Sequence, residues 1–175
     1  MRTSQDLILI GMPAAGKSTI GVLLAKRLRK PFLDTDILIQ NGEGAYLQDL
    51  IFRNGFEGFR RIEERYLLGL AEGCGVVATG GSAVYSSKAM QHLKAIGQVL
   101  YLKISLEPLK DRLGNLSERG VLILPGQTID MLYEERRPLY ERYADIVIDT
   151  TDKTPNQVVT EISALCQPIP AKGSG

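Results

Sequence analysis

The chain has little of several things, and each scarcity narrows what it can be. It has two cysteines, Cys74 and Cys166, far apart and without a Cys-x-x-Cys pair. Both read as small buried hydrophobes in a reducing compartment. The single histidine, His92, lies in a plain helical stretch where packing is expected rather than catalysis. Charge of either sign is not in excess: the formal net charge is +1, which argues neither for a nucleic-acid partner nor for an acidic tail. No run approaches the roughly 18 apolar residues of a membrane span, and the first residues lack the apolar core of a secretory leader. A cytoplasmic protein with no membrane partner is the expectation. Internal repeats and low-complexity tracts are absent from the sequence. The remaining composition, 44% hydrophobic over 175 residues, supports one globular domain with a real core. That domain is expected over 1–167, with 168–175, which ends in Gly-Ser-Gly, as a disordered tail.

What is present centres on Leu7 to Thr19. An apolar run, Leu7-Ile8-Leu9-Ile10, leads into Gly11-Met12-Pro13-Ala14-Ala15-Gly16-Lys17-Ser18 and then into an amphipathic helix pattern. This is G-x-x-x-x-G-K-[ST] between a strand and a helix, the one context in which that motif works. Gly11 and Gly16 let the backbone curl so that successive N–H groups face a polyphosphate. Lys17 reaches the outer phosphates, and the Ser18 hydroxyl is placed for Mg²⁺. The helix adds the positive end of its dipole. The bland alternative is a glycine-bearing turn that fits the pattern by accident.

Four further apolar runs, at 31–33, 76–78, 99–102 and 146–148, are continuous rather than alternating. Continuous runs fit strands of a parallel sheet covered on both faces. Helical patterns at 17–29, 57–71 and 157–166 separate them, so the fold class is α/β. Ligands are expected at the carboxyl ends of the strands. Two stretches, 37–56 and 112–127, carry turn signals instead and read as excursions of the kind that form binding flaps and lids.

Several residues in these places have both a chemical and a plain reading. Asp34-Thr35-Asp36 follows the second run; in an extended chain both carboxylates face one side. One would serve Mg²⁺ through water and the other an incoming hydroxyl, whereas the plain reading is a turn or helix cap. Arg60 is either paired with Glu64 at i+4 or turned toward a ligand carboxylate with Glu63 holding it. Thr79-Gly80-Gly81-Ser82 is either a plain turn or a close backbone approach to a ligand. Arg112, Arg119, Arg136 and Arg137 cluster around the second excursion, and Pro138 is expected to end or kink the helix just after Arg136-Arg137. Tyr133, Tyr140 and Tyr143 read as packing residues.

In their order, the Walker A loop, D-x-D, F-R-x-x-E, Gly-Gly turn, arginine-bearing lid and R-x-P-L-Y resemble the shikimate kinase family, small P-loop kinases of the nucleoside-monophosphate-kinase fold. The resemblance runs from about Leu7 to Ile162. It implies a three-layer fold with a five-stranded parallel sheet of order 2-3-1-4-5, an acceptor-binding flap at about 35–62 and a lid at about 112–127. It implies that Gly11, Ala14, Ala15, Gly16, Lys17, Ser18 and Thr19 hold the ATP phosphates, with Arg112 against the adenine. Ser18 and, through water, Asp34 would hold Mg²⁺. Asp36 would bind the acceptor and take its proton, Arg60 and Arg136 would clamp its carboxylate, and Gly80 and Gly81 would offer backbone N–H groups. Lys17, Asp36 and Arg119 would be the catalytic set. The chain departs from the family at Ser82, in place of a third glycine, at Gln40 in the flap, and after the lid arginine, where it has Gly120-Val121-Leu122.

The activity so implied is ATP- and Mg-dependent phosphorylation of a hydroxyl on a small hydroxy acid, shikimate first, by a monomer. The rival acceptors are homoserine and gluconate, and the rival class is a non-catalytic ATP-binding regulator.

Overall fold

A central strand with both faces covered explains why the first apolar run carries no polar alternation. β1 (Asp6–Ile10) is buried along its whole length. The computed structural model describes residues 5–113 and 126–166. Most of the stretch 112–127, Arg119 included, and the tail 168–175 lie outside the described residues.

Around β1 stand β2 (Phe32–Asp34), β3 (Val76–Ala78), β4 (Gly97–Lys103) and β5 (Ile146–Asp149). All pair in parallel in the order β2-β3-β1-β4-β5, the topology that the resemblance implies. The period of two divides the core. Leu7 and Leu9 point to one layer, where α1 (Lys17–Leu28) and α7 (Pro155–Cys166) supply Ile20, Leu24, Val158 and Ile162. Ile8 and Ile10 point to the other, filled by Leu67, Met90, Leu93, Leu109 and Leu132. These come from α3 (Leu47–Leu68), α4 (Ser87–Ile96), α5 (Leu106–Leu113) and α6 (Ile129–Tyr143).

Two expectations are corrected here. The stretch 37–56 is not irregular: it is α2 (Thr35–Glu43) and the first part of α3. The turn signals are real but local. Gly44 closes α2 in the left-handed region, φ 62°, and Gly55 breaks α3 without ending it, φ 67° and ψ −176°. The two helices share a small core of Ile39, Leu50 and Phe59. Short-range turn chemistry could not reveal that core, because its members come from both helices. Of the two outcomes expected at Pro138, an end or a kink, the end does not occur, since α6 runs on to Tyr143. Tyr140 in that last turn is fully buried, stacks on Tyr101 at 5.1 Å and donates to the Gly81 carbonyl at 2.7 Å. Those contacts offset the hydrogen bond that proline removes.

Among the described residues no helix is long and apolar enough to cross a membrane. His92 packs on α4 with its Nε2 2.7 Å from the Leu70 carbonyl, and both cysteines are free and only partly buried.

Candidate active site

At the carboxyl end of β1 the chain makes a turn that only particular residues tolerate. Gly11 has φ 147°, and a Cβ there would lie 2.7 Å from the Leu102 carbonyl oxygen of the neighbouring strand. Gly16, φ 96°, opens α1 without any side-chain cap, and the first turn of α1 holds no acidic residue. A helix start of this kind, with no acidic side chain near its first N–H groups, is suited to an anion. Ala14 stands in the left-handed region at φ 61°, a conformation that costs a non-glycine residue about 1 kcal/mol or more and is concentrated at functional turns. Lys17 is buried, and its Nζ donates to the Gly11 and Met12 carbonyls at 2.8 Å each. Burial lowers its pKa from 10.5 to about 8, against the pull of Asp36.

The Asp-Thr-Asp segment forms the helix cap of its plain reading, and it does so in a strand-to-helix turn rather than in an extended chain. Asp34 ends β2 and caps α2: one carboxylate oxygen accepts from the Asp36 N–H at 3.0 Å and the Ile37 N–H at 3.4 Å. Its other oxygen accepts from the Ser18 hydroxyl at 2.6 Å. Asp36 sits in the first turn of the helix. Withdrawal from water, with the Asp34 charge adding, raises its pKa from 3.8 to about 6, against the pull of Lys17.

β3 ends in the Gly-Gly turn. The Gly80 N–H donates to the Thr35 hydroxyl at 3.0 Å, so it is engaged inside the protein rather than offered to a ligand. What glycine supplies at this position is room, because a Cβ would strike the carboxylates of Glu63 and Asp36. Ser82 donates to Glu63 Oε2 at 2.6 Å, and Ser86 donates to Glu64, which fastens α3 to the turn. Neither the Glu64 ion pair of the plain reading nor a Glu63 hydrogen bond to Arg60 occurs among the described residues. Arg60 pairs instead with Glu57 at 3.2 Å.

Glu63 is 2% exposed, and its Oε1 is buried without a hydrogen-bond partner. Burial raises its pKa from 4.5 to about 7, opposed mainly by the Ser82 hydrogen bond. A carboxyl raised on folding binds more protons in the native state, so its contribution makes stability fall as pH rises from about 4.5 to about 7. We expect Glu63→Gln to flatten the dependence of Tm on pH across that interval, because the amide oxygen still accepts from Ser82 but does not titrate. Parallel Tm curves for the two proteins would count against this account.

Lys17, Ser18, Asp36, Gly80, Gly81, Ser82 and Arg136 line one cavity of about 340 Å³. Arg136 reaches it from α6 and is 1% exposed. Arg60 does not line that cavity; it lines an adjoining one of about 170 Å³, which shares Ser82 with the first. Arg112 lies on the other side of the loop, lining a third cavity with Ala14, Thr150 and Lys153. Among the described residues, no cluster of three or more His, Cys, Asp or Glu side chains is arranged to hold a metal. Sequence reasoning missed Thr35 and Tyr85. Tyr85 carries no signal in a single sequence, since it lies in a 3₁₀ turn (Ala83–Tyr85) with no periodicity.

Comparison with known proteins gives matches over nearly the full length of the chain. A family model described as "Shikimate kinase" matches residues 13–167. A shikimate kinase of Pseudomonas syringae pv. tomato is 41% identical over 171 residues, 96% of this chain and 99% of that protein. The structure of a shikimate kinase from Acinetobacter baumannii, in complex with shikimate, superposes with a TM-score of 0.86 at 31% identity, covering 93% of each chain. That of the Aquifex aeolicus shikimate kinase gives 0.79 at 34% identity, covering 91% of this chain and 94% of that one. With a phosphate-binding turn, a buried acid and a buried arginine meeting in one cavity, and with these matches spanning nearly its full length, the chain belongs to the shikimate kinase family.

Proposed function

We propose that the chain transfers the γ-phosphoryl group of ATP to a hydroxyl of shikimate, giving shikimate 3-phosphate and ADP. The observation that carries this reading is the convergence of Lys17, Asp36 and Arg136 on one cavity, in a chain of this family. A phosphate-binding turn alone fits many acceptors. A carboxylate that can take a hydroxyl proton and a buried guanidinium that can pair with an acid fit a hydroxy acid. Homoserine, gluconate and a regulatory role without turnover are not favoured by the matches.

In this reading the acceptor hydroxyl forms a bond to the γ-phosphorus as the bond from that phosphorus to the bridging oxygen breaks. ADP leaves with the electron pair, and the hydroxyl proton passes to the Asp36 carboxylate. Positioning and charge neutralisation supply most of the rate in phosphoryl transfer. The uncapped start of α1 and the Lys17 ammonium receive the phosphates, Arg119 the transferring group, and Arg112 the base. Arg136 and Arg60 hold the acceptor's carboxylate. Ser18 and, through water, Asp34 would hold Mg²⁺ with hard oxygen atoms that lie 2.6 Å apart. A pair of this kind, completed by water and phosphate oxygens, suits Mg²⁺, which is seldom held in an all-protein cage. When bound, Mg²⁺ neutralises charge on the ATP phosphates. Every residue invoked belongs to one chain, so a monomer suffices.

The test is ATP consumption with Mg²⁺ against shikimate, homoserine, gluconate and no acceptor, with product mass determined. Turnover on shikimate alone is expected, and turnover on another acid in preference to it would overturn the acceptor assignment. Arg136→Lys is expected to raise KM for shikimate by about 10- to 100-fold, since lysine cannot form two parallel bonds to a carboxylate. KM for ATP should change little.

A further inference from the structure

We infer that Tyr85 is a positioning residue for acceptor binding, a single side chain that sets both arginines of the carboxylate clamp. The inference rests on the proposed acceptor and deepens that reading.

Arg60 and Arg136 come from different helices, α3 and α6. Both meet Tyr85. The Arg60 guanidinium carbon lies over the Tyr85 ring, 3.8 Å from its centre, and over the Phe56 ring at 4.6 Å. The Arg136 guanidinium carbon lies 5.1 Å from the centre of the same Tyr85 ring, and its Nε donates to the Tyr85 hydroxyl at 3.1 Å. That hydroxyl in turn donates to Glu135 at 2.5 Å, and Glu135 accepts from Gln127 at 2.6 Å. A phenol accepts and donates at once, and burial pushes the Tyr85 pKa up, so the proton needed for Glu135 stays in place.

The two attachments differ in kind. Arg60 is held through the face of the ring, which occupies the guanidinium's π surface and leaves its in-plane N–H groups for a carboxylate. Its salt-bridge partner among the described residues is the exposed Glu57, and exposed pairs of that sort hold a long side chain only weakly. Its Nε is buried with no hydrogen-bond partner, as expected of a group whose partner is a ligand. Arg136 is held through the hydroxyl. The ring and the hydroxyl can therefore be removed separately. Tyr85 closes the 3₁₀ turn that follows Gly80-Gly81-Ser82, so the platform is fixed near the end of β3 from which the acceptor cavity is built.

Steady-state kinetics of Tyr85→Phe and Tyr85→Leu test this, with thermal unfolding to show that each variant is folded. Phenylalanine keeps the ring under Arg60 and loses the tether to Arg136, so KM for shikimate should rise about threefold to tenfold. Leucine loses both, and the rise should be about thirtyfold or more. In each case KM for ATP should stay within about twofold and kcat should fall far less than kcat/KM, the signature of lost ground-state positioning. A background of Arg136→Lys sharpens the test, because lysine has no Nε–H at that position. There Tyr85→Phe should add nothing, whereas Tyr85→Leu should still raise KM through Arg60. Folded variants with unchanged KM for shikimate overturn the inference, as does an equal rise in both KM values. Wild-type protein that does not turn over shikimate overturns the proposed function and this inference together, and that outcome is visible in the wild-type row alone.

Discussion

Asp36→Asn is expected to lower kcat by about 10²- to 10⁴-fold and to leave ATP binding nearly unchanged, the range that follows when a general base is lost. Asparagine has almost the same shape as aspartate but cannot receive a proton. The effect should therefore fall on the chemical step, with calorimetric ATP affinity as the control. Burial and the Asp34 charge bring the Asp36 pKa to about 6, close to the working pH, where a base combines ionisation with useful basicity. The same group predicts the acid limb of the pH profile. In wild type, kcat/KM should fall below about pH 6 as Asp36 takes up a proton, and should fall again above about pH 8 as Lys17 loses its own. Because kcat/KM reports the free protein, the limbs belong to the ligand-free site. The acid limb should persist in Glu63→Gln. Near-normal kcat in Asp36→Asn, or an acid limb that disappears with Glu63, would move the proton acceptor elsewhere.

Lys17→Ala should reduce kcat by about 10³-fold or more, since one preorganised donor to a transferring group is worth about 10²–10³ and Lys17 also anchors the loop. Its ammonium binds the carbonyls of Gly11 and Met12, which keeps the turn closed around its own backbone. Removing a charged donor from two buried carbonyls costs about 1–3 kcal/mol, so a lower Tm should accompany the kinetic loss. Lys17→Arg should not restore activity, because a planar fork cannot occupy the place of a compact ammonium. A folded Lys17→Ala protein retaining a tenth of wild-type kcat would remove the lysine from the catalytic set.

The sequence by itself determined the sheet and the phosphate-binding turn. Five apolar runs became five parallel strands; in the inner strands β1, β3 and β4 burial on both faces demands continuous hydrophobicity, while the edge strands β2 and β5 are only partly buried. Gly11 and Gly16 were legible because a positive φ and a close backbone approach leave few alternatives. These are local requirements, written in consecutive residues. The bounds of α2 and α3 were not legible, since Ile39, Leu50 and Phe59 meet only after the two helices fold together. The partners of the charged residues were not legible either. Asp34 serves as cap and hydroxyl acceptor at once, Glu63 accepts from Ser82 rather than from Arg60, and Arg60 and Arg136 both rest on Tyr85. A charge takes the nearest partner that also satisfies its desolvation. In this protein those partners come from strands and helices far apart in the chain, so only the tertiary structure could choose among them.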